Sequence, residues 1–282
     1  MKKRVLLTGI ILFLVVAAGI VMVRFRKPQH TSQTNNSDTY EYYYNNEDEE
    51  EEDSLLPENL DSISADNKTV PLDTIPSSTT VLVNRKYLLP STYIPKNLVV
   101  PNVDFSFSYV NDKRKMRKIA ATALEKLFAA GEKKGIKLYG VSGYRSYTRQ
   151  KEIYDRNVAT RGKAATDAVS AMPGSSEHQT GLTIDVSAQS VSYRLDQSFG
   201  DTKEGKWLAK HCHEYGFIIR YPYDKEKITG YSYEPWHIRY VGTTVAAYLY
   251  KNNLTLEEYY GVTLKDMEDS SKPETSVDVE DP

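Results

Sequence analysis

An uncharged run near the start of the chain limits which residues can fold as a globular domain. Nineteen residues from Val5 to Val23 carry no charge, and basic residues stand on both sides of them. At roughly 1.5 Å per residue, a helix of this length nearly spans the hydrocarbon core of a bilayer. We interpret residues 1–30 as a single-pass membrane anchor. A cleaved signal peptide is the alternative, although Ala17-Ala18-Gly19 is a poor cleavage site. Positive charge on both flanks leaves the orientation open.

Two further segments lack the pattern of a folded domain. Residues 31–78 are rich in Asn, Ser, Thr and Tyr and include seven consecutive acidic residues, Glu47 to Asp53. Residues 263–282 are also acidic and show no hydrophobic periodicity. Such segments bury too little apolar surface to offset their chain entropy. We therefore expect a disordered spacer over 31–78, a disordered tail over 263–282 and one folded domain over 79–262.

The acidic segments hide the charge of the domain between them. Residues 79–262 contain 27 basic and 18 acidic side chains, a net charge of +9, whereas the whole chain carries −2. A basic domain held outside a membrane would be attracted to an anionic polymer such as a cell wall, and nucleic acid is the other generic partner. Simple solubility explains the charge equally well. The single cysteine, Cys212, rules out an intrachain disulfide, so the fold depends on its own core.

Hydrophobic periodicity predicts helices and short strands in mixed order within this domain. Apolar residues from Met116 to Phe128 recur at three- and four-residue spacing, which indicates an amphipathic helix. Further helices are expected after Ser146, over 203–215 and after Thr243; strands are expected over 137–142, 217–220 and 236–241. This order predicts an α+β domain with a small antiparallel sheet flanked by helices.

The stretch SSEHQTGLTID, residues 175–185, contains the first candidate metal ligands. After Gly181, apolar residues alternate with Thr183, Asp185 and Ser187, which predicts a strand that buries the apolar set and presents Asp185 on its polar face. A glycine can turn the chain without a Cβ penalty and so bring His178 back over that face. By itself the stretch fits an ordinary surface loop and strand better than a metal site.

A second stretch, YEPWHIRYV over residues 233–241, supplies the remaining groups. Pro235 disfavours helical geometry at Glu234, and a strand here would place His237 and Arg239 on one face. Two histidines and an aspartate can hold Zn²⁺ at roughly 2.0–2.2 Å and leave the fourth tetrahedral position for water. A nearby glutamate would then serve as the base.

Together these stretches resemble a known family. Residues 176–185 match S-x-H-x-x-G-x-x-x-D, residues 234–237 match E-x-W-H, and SGYRS over 142–146 with Gln150 matches a third block. All three are typical of the VanY-type D-alanyl-D-alanine carboxypeptidases, in the zinc peptidase group that also includes LytM and the hedgehog N-terminal domain. The resemblance extends from about residue 82 to 242 and implies the fold of that group.

The resemblance also implies roles for individual residues. His178, Asp185 and His237 would bind the zinc, and Glu234 would be the general base. Arg145 would stabilise the oxyanion or hold the substrate. The substrate itself would contact the side chains of Ser176, Gln150 and Tyr144.

The implied reaction is removal of a C-terminal D-alanine from peptidoglycan stem peptides, as a D,D- or L,D-carboxypeptidase. A peptidoglycan endopeptidase of the same chemistry is the alternative. A non-catalytic, zinc-containing wall-binding domain is a third possibility, but Glu234 would have no purpose there. We accordingly expect a monomer on the outer side of the cell membrane, with the cell wall and not nucleic acid as its partner.

Overall fold

The computed structural model describes residues 70–167 and 170–263. The predicted anchor, most of the predicted spacer and nearly all of the predicted tail lie outside these residues. Within the part that is described, no helix is both long enough and apolar enough to cross a membrane.

The described residues form an α+β fold with small antiparallel sheets and helices, as predicted. The strands are β1 (Leu98–Val99), β2 (Met116–Arg117), β3 (Tyr139–Ser142), β4 (Thr183–Ser187), β5 (Phe217–Ile219) and β6 (His237–Tyr240). The α-helices span Lys118–Glu132, Tyr147–Arg161, Lys163–Asp167, Lys203–His211, Glu226–Thr229, Thr243–Asn252 and Leu256–Tyr259. Short 3₁₀ turns occupy Asp112–Arg114, Glu177–Thr180, Gln189–Val191, Gln197–Asp201 and Cys212–Tyr215.

The sheet that carries the candidate site has the strand order β3-β4-β6-β5, and each neighbouring pair is antiparallel. In the β4–β6 pair, Ile184 lies opposite Ile238 and Asp185 lies opposite His237. The isoleucine face packs on the main core, to which the helix Lys118–Glu132 contributes Leu124 and Leu127. Side chains alternate along a strand, so Asp185 and His237 are directed to the opposite face.

Several boundaries differ from the sequence-based predictions, and two of these differences change how the domain is assembled. Met116 pairs with Val99 in β2, and the amphipathic helix begins only at Lys118. The folded part also begins earlier than residue 79. Leu82 donates a backbone hydrogen bond to the carbonyl of Asp73 (2.9 Å), and Arg117 donates to the carbonyl of Ser77 (2.6 Å). Residues at the end of the predicted spacer therefore belong to the domain.

The polar face of β4 is not exposed, which excludes the ordinary surface strand that residues 175–185 alone would fit. Thr183, Asp185 and Ser187 are at most 5% exposed. Thr183 donates a long hydrogen bond to Glu177 Oε2 (3.4 Å), and Ser187 donates to the carbonyl of Arg194 (2.8 Å). Loops that return across this face cover it, so its charged groups must find partners inside the protein.

Gly181 joins the turn that bears His178 to β4, and its backbone has a positive φ of 69°. A Cβ at this position would lie 2.9 Å from Leu98 Cδ2 and 3.1 Å from Arg117 Cγ. Gly135 is a matched control, because its φ is 72° but a Cβ there would meet nothing within 4 Å.

We predict that Gly135→Ala lowers the free energy of unfolding by roughly 1–2 kcal/mol, the cost of the left-handed backbone alone. Gly181→Ala should cost about 1–3 kcal/mol more, because it also overpacks the turn. Urea unfolding of both variants measures the difference. Equal losses would contradict the close packing of Gly181.

Candidate functional site

Three buried side chains converge on one point of the sheet. His178 lies on the 3₁₀ turn Glu177–Thr180, Asp185 on β4 and His237 at the start of β6. Each is 5% exposed, and one ligand atom from each lies within 4.8 Å of the others. The structure thus brings together the three residues that the two sequence stretches single out.

The hydrogen bonds of the two histidines determine which ring nitrogen of each faces Asp185. His178 Nδ1 lies 2.8 Å from the carbonyl oxygen of Gly143, which can only accept, so His178 Nε2 is left facing Asp185 Oδ2 at 3.5 Å. His237 Nε2 lies 3.4 Å from Glu177 Oε2, and its Nδ1 lies 3.2 Å from Asp185 Oδ1. Second partners of this kind orient imidazole ligands in metal sites.

The group fits a zinc ion by its chemistry. Asp185 Oδ1 is buried and accepts no well-aligned hydrogen bond, although His237 Nδ1 lies 3.2 Å away, so this oxygen is available to a cation. Burial alone would raise the pKa of Asp185, but the neighbouring His178 and His237 outweigh this effect. The pKa of Asp185 is lowered overall, so the carboxylate is ionised. Two imidazole nitrogens and one carboxylate are a common three-ligand set for catalytic zinc.

Glu234 stands at the opening of this group. Its Oε2 lies 3.7 Å from His237 Nδ1, and its side chain is 27% exposed. Its backbone is held on both sides: its N–H donates to the carbonyl of Tyr221 (3.0 Å), and its carbonyl accepts from the N–H of His237 (3.2 Å). Burial raises the pKa of Glu234 to about 7.

Arg145 and Gln150 form a pair beside the three ligands. Arg145 Nη1 donates to Gln150 Oε1 (2.9 Å), and Nη2 donates to Ser142 Oγ (3.3 Å). Gln150 is 2% exposed, and its Nε2 donates to the carbonyl of Ala171 (2.6 Å). Both atoms of the Gln150 amide are therefore used inside the protein, where they fix the guanidinium of Arg145.

Ser176 and Tyr144 lie in two adjoining cavities. Ser176 lines a cavity of about 180 Å³ together with His178, Asp185, Glu234 and His237. Tyr144 lines a neighbouring cavity of about 490 Å³. Arg145 and Ile153 border both cavities. The structure therefore separates Tyr144 from the metal-ligand group, whereas Ser176 lies beside it.

Several charged residues at the site were not singled out from sequence. Glu177 is fully buried; its Oε1 accepts from Arg220 Nε (2.7 Å) and Arg239 Nη1 (2.8 Å). Arg220 also pairs with Glu257, and the ring of Tyr221 lies 4.9 Å from that of His237. Only Arg239 could have been associated with the site from the local sequence, since it shares a strand face with His237. The other residues lie far along the chain from these partners, and only the fold brings them to the site.

A sequence model of the VanY family, described as D-alanyl-D-alanine carboxypeptidase, matches residues 113–243. The Bacillus subtilis (strain 168) protein YodJ is 50% identical over 191 residues, which are 67% of this chain and 70% of YodJ. The chain belongs to the VanY family. It is therefore an enzyme of the carboxypeptidase class, and the resemblance seen in its motifs is confirmed.

Solved structures of VanY-family enzymes superimpose on the same region. The LdcB LD-carboxypeptidase is 49% identical with a TM-score of 0.65, and the match covers 67% of this chain and 88% of LdcB. The D,D-pentapeptidase VanY of the VanB-type cassette, solved with Zn(II), is 35% identical with a TM-score of 0.51, over 64% of this chain and 98% of VanY. VanYB has also been solved with D-alanine-D-alanine, at 34% identity and a TM-score of 0.52, over 65% of this chain and 97% of VanYB.

The protonation of the ligands predicts proton release on metal binding. Burial lowers the pKa of His178 to about 3, so that ring is neutral. Burial also disfavours the charged form of His237, but the nearby carboxylates of Asp185 and Glu177 raise its pKa to about 9. Below pH 9 the metal-free His237 therefore carries a proton that a metal must displace.

We predict that zinc binding at pH 7.5 releases about one proton from the protein, and that zinc affinity falls about tenfold per pH unit as the pH drops below 8. Calorimetric titrations in two buffers of different ionisation enthalpy measure the proton. His211→Gln, outside the site, should behave as the wild type. Binding without proton release would show that His237 is neutral in the metal-free protein.

Proposed function

We propose that this chain is a zinc-dependent carboxypeptidase that removes the C-terminal D-alanine from peptidoglycan stem peptides. His178, Asp185 and His237 would hold the ion. A bound zinc supplies Lewis acidity at the point where these three side chains meet. Support comes from the donor set, the family and the relatives that are named as carboxypeptidases.

The position of Glu234 is the observation that carries the catalytic proposal. A purely structural zinc has four protein ligands, whereas this site has three and a carboxylate at its opening. Glu234 would take the proton of the attacking water and later give it to the leaving amine. A pKa of about 7, raised by burial, suits a group that must both accept and donate a proton near neutral pH.

Arg145 would bind the substrate oxygen that becomes negative as the water attacks. Gln150 and Ser142 fix its guanidinium, so the charge is already positioned before the reaction. We assign Gln150 a supporting role through Arg145, because both atoms of its amide form hydrogen bonds inside the protein. Ser176, on the wall of the metal-ligand cavity, would contact the terminal D-alanine.

The cavity of about 490 Å³ beyond Arg145 would hold the preceding part of the peptide. Its lining includes Lys113, Arg145 and Arg149 but only one acidic residue, Asp112, which pairs with Lys115 (2.9 Å). A basic lining suits a stem peptide that carries carboxylates. Tyr144 would contact the peptide here.

We favour L,D-cleavage, because the chain is more similar to LdcB than to VanY in both sequence and superposition.

The basic domain, tethered by the predicted anchor, would work as a monomer at the wall side of the membrane. Membrane fractionation of cells that express a tagged full chain tests the tether, and a soluble tag would argue against it.

Replacement of the base tests the mechanism. We expect Glu234→Gln to lower kcat by about 10²–10⁴-fold while zinc remains bound, because the amide cannot accept the proton of water. Glu132→Gln, an exposed change of the same kind, should keep full activity. D-Alanine release and zinc content are measured on the same preparations. A variant with zinc and undiminished activity would exclude Glu234 as the base.

The wild type should also lose activity as the pH falls. Glu234 acts in its ionised form, which is lost below its pKa of about 7, and a neighbouring divalent cation favours ionisation. The acid limb of kcat/KM should therefore lie at or below pH 7.

A pair of substrates tests the specificity. We expect faster D-alanine release from a tetrapeptide that ends in L-lysyl-D-alanine than from a pentapeptide that ends in D-alanyl-D-alanine. The same tetrapeptide with an amidated C-terminus should be a poor substrate, since a carboxypeptidase needs the free carboxylate. Preference for the pentapeptide would reverse the L,D assignment. Equal cleavage of the amidated peptide would favour the endopeptidase alternative.

A further inference from the structure

Four fully buried charged side chains lie behind the metal-ligand group. They are Glu177, Arg220, Arg239 and Glu257, and each of these side chains is 0% exposed. Burial of an ion costs several kcal/mol unless it is well paired. Two positive and two negative charges balance here, so the group is neutral as a unit. We call these four residues the charge cluster.

The charge cluster forms a continuous chain of hydrogen bonds. Arg220 Nε donates to Glu177 Oε1 (2.7 Å), while Nη1 and Nη2 donate to the two oxygens of Glu257 at 2.8 and 2.6 Å. Arg220 thus binds the Glu177 carboxylate through Nε and the Glu257 carboxylate through both terminal nitrogens, Nη1 and Nη2. Bidentate pairs of this kind restrict geometry as well as supplying energy.

Glu177 connects the charge cluster to the metal ligands. Its Oε1 accepts from Arg220 and Arg239, and its Oε2 faces His237 Nε2 at 3.4 Å. This contact keeps His237 Nδ1 directed to Asp185. The orientation of the ring thus depends on where the two arginines hold Glu177.

The distal end of the charge cluster lies outside the region that the family model matches. Glu257 belongs to the helix Leu256–Tyr259, beyond residue 243. Asn84 Nδ2 donates to Glu257 Oε1 (3.3 Å), and Arg239 Nη2 donates to the carbonyls of Thr79 and Val81. Segments before and after the matched region therefore meet at the charge cluster.

We propose that Glu257 is a positioning residue for the metal site, which acts on His237 through Arg220 and Glu177. Loss of its charge leaves Arg220 with a single anionic partner, Glu177, in a buried site. Arg220 then draws on both oxygens of Glu177, and the Oε2 contact with His237 weakens. The inference rests on the use of His237 as a metal ligand in the proposed function.

The test compares Glu257→Gln with Glu258→Gln in the full chain. Glu258 lies in the same helix, pairs with Lys225 (2.8 Å) and caps the helix at Thr255, but its side chain forms no hydrogen bond or ion pair with the charge cluster in the part of the chain that is described. Both changes remove an ion pair from this helix, so both should lower Tm. Only Glu257→Gln should affect the metal site.

Two readouts report on the metal site without enzyme activity. We expect Glu257→Gln to weaken zinc binding about 10- to 100-fold and to change the visible spectrum of the cobalt-substituted protein, which depends on ligand geometry. Glu258→Gln should match the wild type in both. In Glu177→Gln, a further Glu257→Gln should cause little additional loss of affinity, because the effect passes through Glu177.

A wild-type cobalt spectrum and wild-type zinc affinity in a folded Glu257→Gln protein would overturn the proposal. If that variant does not fold, Glu257→Asp keeps the charge but shortens the reach to Arg220. It should show a smaller change in the same direction, and wild-type values in that variant would overturn the proposal equally. Tight zinc binding without hydrolysis of any stem peptide would instead reject the proposed function and leave this inference standing.

Discussion

The register of the β4–β6 pair is the constraint on which the rest of the site depends. It places Asp185 opposite His237 on one face and Ile184 opposite Ile238 on the other. A slip of β4 by one residue would turn Asp185 into the core and Ile184 into the site, while His237 and Ile238 kept their places. The apolar face therefore fixes the ligand geometry, because the energy of core burial selects the register that the metal site needs. His178 is added to this pair by the turn at Gly181.

Burial of the ligand face creates a second demand. Little of this face is exposed, so its charges must be matched mainly by other side chains. Arg220 and Arg239 supply the positive charges, and Glu177 and Glu257 the negative ones. The partners come from the turn before β4, from the residue after β5, from β6 and from the C-terminal helix. Site and fold are consequently coupled: the groups that orient a ligand also join the outer segments to the sheet.

Local features of the sequence predicted much of this arrangement. The spacing from Met116 onward predicted the long helix, and period-two alternation after Gly181 predicted β4 with its apolar face. The motifs, together with the family that they resemble, predicted that His178, Asp185, Glu234 and His237 meet at one site. The charge cluster could not be predicted, because Glu177 is separated from Arg220 and Glu257 by 43 and more residues. No local pattern distinguishes a buried glutamate of this kind from a solvated one. The role of Gln150 was equally hidden, since it depends on the carbonyl of Ala171.

Three carboxylates surround His237, and their environments assign them different tasks. Burial would raise the pKa of Asp185, but the imidazoles of His178 and His237 lower it, so Asp185 is ionised and suited to bind a metal. Burial alone would raise the pKa of Glu177, but Arg220 and Arg239 hold it well below its usual range. Those same arginines occupy Oε1, which leaves Glu177 to orient the ring instead of becoming a fourth ligand. Burial raises the pKa of Glu234 to about 7, although His237 Nδ1 at 3.7 Å lowers it, and among the described residues no arginine forms an ion pair with Glu234. Because Arg220 and Arg239 neutralise Glu177, this carboxylate would not compete with water for a zinc ion held by His178, Asp185 and His237.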